Sequence, residues 1–116
     1  MSNKITLKGN KMIVEPSSLD KIFSLTNKLT IPFEHINGAT IDKDIVHTYK
    51  GLKRPGLSVS GQKWCGVFQL DGEKSFWNVS KSETPLVITL NHEKYDLLVL
   101  GIENANEIEK LINNLY

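Results

Sequence analysis

The stretch "VFQLDGEKSFWNV", Val67 to Val79, restricts the fold more than any other part of the chain. Two alternating segments flank Asp71-Gly72, and Asp-Gly suits the two-residue turn whose twist matches antiparallel strands. On the first segment Trp64, Phe68 and Leu70 share a face. On the second, Ser75, Trp77 and Val79 share one face and Phe76 takes the other. An antiparallel hairpin with aromatics on both faces needs a core on at least one side, which makes the fold β-rich.

Other segments repeat the pattern. "ITLKGNKMIVEP" alternates about a Gly-Asn turn, with Ile5 and Leu7 before it and Met12 and Val14 after it. Ser17 and Asp20 form a capping box that opens a short helix near residues 17–26, with Leu19, Ile22 and Phe23 on its apolar side. "KLTIPFEHI" returns to period two, with Leu29, Ile31 and Phe33 on one face. Pro32 inside that run indicates an edge or a bulge. Asn37-Gly38 is expected to bend the chain, and "PLVITLNHEKYDLLVLGI" forms a further strand pair about residues 91–94.

The period then changes. Asn104 with Glu107 reads as a reciprocal N-terminal box, followed by Ile108, Leu111, Ile112 and Leu115 at helical spacing. The expectation is an amphipathic helix of about 12 residues with Glu107, Glu109, Lys110, Asn113 and Asn114 on its solvent side. The fold class is therefore mainly β with a C-terminal helix (α+β), a single domain over 1–116. About seven antiparallel strands would bend into a partly open barrel, or two near-orthogonal sheets, plugged by the terminal helix.

Charge narrows the partners. Fourteen Lys and Arg against 13 Asp and Glu leave a net charge of +1, so no global field draws the chain to nucleic acid. The N-terminus lacks the apolar core of a secretory signal, and "YDLLVLGI" is too short to span a bilayer. One cysteine permits no internal disulfide. The expectation is a soluble, cytoplasmic protein.

Strands closed by a helix, together with "IPFEHI", "GLKRPG", "CGVFQLDGEKSFWNV", "LVITL" and "YDLLVLGIEN", resemble a bacterial pleckstrin-homology-like domain of the small, stand-alone, soluble type. The resemblance covers nearly the whole chain and implies a pleckstrin-homology-like barrel. It brings no catalytic residues, since the family has no known shared chemistry.

The residues themselves point away from catalysis. Cys65 alternates with Trp64 and Gly66 in a strand, and His35, His47 and His92 stand in no recognisable relation to it. It reads as buried filler rather than a nucleophile. One cysteine and scattered histidines make no metal cluster, and Asp42, Asp44, Asp71 and Glu73 read as turn charges. Neither an enzyme nor a cofactor is expected; an enzyme would need a matched acid–base pair that the sequence does not display.

Two binding features remain. Between Asp44 and Asp71 there is no acidic residue, while Lys50, Lys53, Arg54 and Lys63 all fall in that interval. On a flexible Gly-rich loop these four cations could gather an anion, or hold an anionic lipid surface weakly, at about 1 kcal/mol per basic residue. The plain alternative is a solvated loop whose Pro-Gly and glycines serve turn geometry. Trp77 reads as core; Trp64, beside Lys63, reads equally as core or as a protein-binding anchor. The leading expectation is a non-catalytic binding or assembly module that recognises a protein or peptide, or self-associates, by strand addition. The edge expected for this is "PLVITL", with Lys28 and Pro32 guarding another.

Overall fold

A computed structural model of the chain describes residues 3–15, 28–45, 52–59 and 63–115, with the side chains of 52–59, Lys63 and Leu70 excepted. The helix expected near residues 17–26 lies outside the described residues. Within them the protein is mainly β with one C-terminal helix. The strands are β1 (Lys4–Lys8), β2 (Lys11–Glu15), β3 (Leu29–Pro32), β4 (Ile36–Ile41), β5 (Leu52–Val59), β6 (Lys63–Leu70), β7 (Glu73–Ser80), β8 (Pro85–Leu90) and β9 (Leu97–Gly101), followed by α1 (Ala105–Asn113). That is nine strands where alternation counts about seven.

The strands form a three-stranded sheet, β1-β2-β3, and a six-stranded sheet, β4-β8-β9-β7-β6-β5. They do not close into a barrel. Nor is the larger sheet wholly antiparallel: β7 and β9 run parallel, with Phe76 beside Leu98 and Asn78 beside Leu100. The chain leaves β7, passes β9's place to lay down β8, and returns to fill the gap between them.

Local chemistry explains the turns. Asp71 and Gly72 both have positive φ, 51° and 82°, as the tight turn of the β6–β7 hairpin demands. Gly9, at φ 62°, leads the two-residue turn between β1 and β2, where Asn10 keeps an ordinary φ. This is the mirror-type turn that places glycine first. The run through Phe33 departs from a strand: β3 stops at Pro32, and Phe33–His35 form a single 3-10 turn. Asn37-Gly38 does not bend the chain away; β4 continues through it with a register shift between Ile36 and Gly38.

Both faces of the larger sheet are apolar. One face carries Ala39, Phe76, Leu86, Ile88, Leu98 and Leu100, and against it pack Met12, Val14 and Ile31 of the small sheet and Ala105, Ile108 and Ile112 of α1. The other carries Trp77, Val79, Leu97 and Val99, joined by Ile45 and the partly buried Trp64, Phe68 and Val87. Strand β9 is buried at every position. A continuous apolar run such as "LLVLG" belongs to a strand covered on both faces.

Helix α1 is shorter than its pattern, nine residues rather than about 12. Asn104 makes no side-chain capping bond, so the box with Glu107 does not form; the first helical bond runs from the Ile108 N–H to the Asn104 carbonyl. Ile108 and Ile112 are buried, but Leu111 is 46% exposed, on the flank of the apolar stripe rather than within it.

One polar cluster sits inside this apolar frame. Asn3 donates from Nδ2 to the carbonyls of Asn78 (2.8 Å) and Gly101 (3.1 Å), and from its backbone N–H to Gly101 (3.0 Å). Asn78 Nδ2 donates in return to Asn3 Oδ1 at 2.6 Å. Where the parallel pair β7–β9 runs out, Asn3 thus supplies donors to carbonyls no strand reaches. Asn3→Ala removes donors from buried acceptors and strands the Asn78 amide, which should lower stability by about 2 kcal/mol. Urea unfolding of the variant checks this; an unchanged midpoint would show that the cluster contributes nothing.

Candidate functional site

The stretch that held the basic residues is not a loop where it is described. Lys53 and Arg54 lie on β5, at the edge of the larger sheet, and Lys63 opens β6. Lys50 lies outside the described residues. The β5–β6 register sets Lys53 opposite Phe68 and Lys63 opposite Val59. Lys63 and the residue facing Lys53 are therefore separated by about 17 Å of strand at roughly 3.4 Å per residue. The backbone positions of Lys53, Arg54 and Lys63 are thus spread along a hairpin.

Cys65 is buried, opposite Leu57 on one side and Asn78 on the other. Trp77 is buried at 2% exposure, its Nε1 donating to Ser75 Oγ at 2.8 Å and its ring set against Phe68 with centroids 5.4 Å apart. Trp64 is half-buried on the same face. Part of its surface packs against the second cluster and part stays accessible.

Among the described residues, titratable groups come near one another at the β8–β9 connection and at the turn after β7. His35 Nδ1 pairs with Glu93, tying the 3-10 turn to the β8–β9 connection, and the His92 ring lies 6.0 Å from that of His35. An open cavity of about 260 Å³ lies between Lys43 and the turn from Ser80 to Pro85. There Glu83 Oε1 accepts from the Ser80 N–H (2.8 Å) and hydroxyl (2.7 Å). The Glu83 N–H donates to the Ser80 carbonyl at 3.0 Å, so Glu83 closes the turn that leads from β7 into Pro85. Among the described residues no group of three His, Cys, Asp or Glu could hold a metal ion. No helix among them is long and apolar enough to cross a membrane.

The sheet edges are the more informative feature. The "PLVITL" strand is no edge: β8 lies between β4 and β9 and pairs with both. The edge on that side of the sheet is β4, and α1 closes it. Asn113 accepts the Ala39 N–H at Oδ1 (2.9 Å) and donates from Nδ2 to the Ala39 carbonyl (2.8 Å). Its amide makes the pair of bonds that a neighbouring strand would make. Glu109 accepts the Ile41 N–H at 2.8 Å, two residues along and hence on the same edge. A Cβ at Gly38 would stand 3.4 Å from Asn113 Oδ1, in ordinary van der Waals contact, so the helix side chain packs directly over that position. The sequence pattern assigned Glu109 and Asn113 to the solvent side; nothing local marks them as edge caps.

The remaining edges differ in quality. Strand β3 has four residues and ends in Pro32, as its sequence foretold for an edge. Strand β5 contains Pro55 and a register shift between Lys53 and Gly56. Strand β1 is regular, pairs residue for residue with β2, and has no strand on its other side among the described residues. No protein-family model, curated protein or solved structure matches the chain.

If Asn113 and Glu109 close β4, replacing both by Ala should leave the fold intact and deprotect the Ala39 and Ile41 amides selectively. Hydrogen exchange followed residue by residue reads this out, with the amides of β7 and β9 as internal reference. Unaltered protection at Ala39 and Ile41 would mean that the helix side chains do not guard the edge.

Proposed function

We propose that the protein is a non-catalytic recognition module that binds an extended protein or peptide segment by strand addition. One observation carries this: two helix side chains satisfy the β4 edge, while β1, the most regular edge, has no strand beside it among the described residues. Unpaired edge N–H and C=O groups are a template for another strand. Edge β1 is also held in place before any partner arrives. Asn3 pins its start to Gly101, and the Phe33 N–H donates to the Asn10 carbonyl at 2.9 Å beyond its far end. Such preorganisation lowers the ordering cost of binding.

A pleckstrin-homology-like plan is part of the proposal. A mainly β shell of two sheets with an amphipathic closing helix supports it, while the parallel β7–β9 pair is a departure from an all-antiparallel barrel. The test is a random library of extended peptides screened against the full chain, with bound sequences mapped by amide chemical shifts. Shifts confined to one edge strand are expected. A library that yields no binder, or binders that perturb only the β8–β9 connection or α1, would overturn the reading.

A second reading, weak binding of an anionic ligand or lipid surface through Lys50, Lys53, Arg54 and Lys63, is favoured by one observation. Lys53 and Arg54 are consecutive residues of an edge strand, in a segment without an acidic residue from 45 to 70. Sedimentation with anionic vesicles should then show binding at low salt that fades at physiological ionic strength. No binding at low salt would remove this reading.

A further inference from the structure

The side chains of β1 specify what kind of strand it accepts. Its sequence is "KITLK". Ile5 and Leu7 face the core beside Val14 and Met12, and Lys4, Thr6 and Lys8 occupy the outer face beside Glu15, Ile13 and Lys11. Met12 and Val14, on the middle strand, are wholly buried, whereas Ile5 and Leu7 are only half-buried. Among the described residues the core thins toward this edge. Lys4 and Lys8 are exposed, and neither forms an ion pair with the described residues.

The bonding pattern follows from the turn. Lys8 and Lys11 flank a two-residue turn and form its bonded pair, so bonded pairs toward β2 fall at Lys4, Thr6 and Lys8. The N–H and C=O groups of Ile5 and Leu7 therefore point outward, along the open edge. A strand added antiparallel would exchange hydrogen bonds with Ile5 and Leu7. Its residues opposite Lys4 and Lys8 would fall in the non-bonded pairs, where facing side chains lie closest.

A second copy of this chain is a poor occupant. Pairing β1 with β1 about Thr6 sets Lys4 of each copy directly opposite Lys8 of the other, and like charges in facing positions repel. A slip by one residue would turn the apolar pair outward. The same two lysines favour a strand with acids at those positions.

We infer that β1 is a docking edge for an acidic extended segment of a partner protein, with the five-residue pattern acidic–apolar–any–apolar–acidic. The two apolar residues extend the core beyond Ile5 and Leu7, and the two acids pair with Lys4 and Lys8. This rests on the strand-addition reading above and adds the location and the chemistry of the partner.

The probe is a capped peptide, Glu-Val-Thr-Val-Glu flanked by Gly and Ser, titrated into the labelled full chain. Binding should shift the Ile5 and Leu7 amides. The peptide with Lys in place of both Glu should bind at least about tenfold more weakly, and the double variant Lys4→Gln, Lys8→Gln should lose about tenfold for the acidic peptide while keeping its fold by circular dichroism. Methylating the backbone nitrogens of both Val residues preserves charge and removes the edge bonds, and should abolish binding. Equal binding of acidic and basic peptides, or undiminished binding of the methylated one, overturns the inference. So does an acidic peptide that fails to bind. If the random library still yields segments that map to an edge, strand addition survives that failure; if it too yields none, both fall.

Discussion

Strand β9 is hydrogen-bonded on both sides and buried on both faces, and the rest of the molecule is arranged around that double commitment. Leu98 and Leu100 enter the core shared with the small sheet and α1; Leu97 and Val99 enter the second cluster beneath Trp77. Each fully buried aliphatic side chain is worth about 1.5–3 kcal/mol, so one short strand anchors two cores. Its ladder with the parallel partner β7 ends at Asn78 and Leu100, and the polar group that meets both strands there is Asn3, from the far side of the sequence. A polar residue is tolerated there because it answers carbonyls that the strand ladder leaves open.

Edges are where such a sheet meets other chains, and here they are treated unequally. Closure of β4 uses an amide and a carboxylate from a helix that would pack on the core in any case. Strand β3 is short and ends in proline, and β5 is interrupted by proline and a register shift. On β1 the protection seen among the described residues is the pair of lysines at its ends, which opposes self-pairing without blocking the backbone between them. Charge of this kind discriminates among partners more than it excludes them.

Local features of the fold were legible in the sequence, and those set by long-range pairing were not. The Asp71-Gly72 and Gly9-Asn10 turns, the facing of Trp64, Phe68 and Trp77, and the edge position of β3 all follow from spacing and turn chemistry within a few residues. Strand order does not. "PLVITL" alternates as an edge strand would, yet its place between β4 and β9 depends on a partner some fifty residues earlier. The run "LLVLG" did carry a signal, since unbroken apolar character marks a strand covered on both faces. Leu111 shows the limit of helical periodicity: it sits at the right interval from Ile108 but on the rim of a stripe whose centre is Ile108 and Ile112. Glu109 and Asn113 were invisible as edge caps, because their task is defined by a strand about seventy residues away.

The placement of β9 has a consequence for the order in which the chain can acquire structure. The β6–β7 hairpin closes over a two-residue turn and can form early, within microseconds in comparable hairpins. The larger sheet cannot join β8 to β7 until β9 has entered between them, and Asn3 has no carbonyl of Gly101 to bind before then. A nascent chain emerging at about 5–20 residues per second would hold both halves of the sheet apart for about one to four seconds. During that interval β7 and β8 each lack their central neighbour, so completion of the larger sheet waits on the most C-terminal strand.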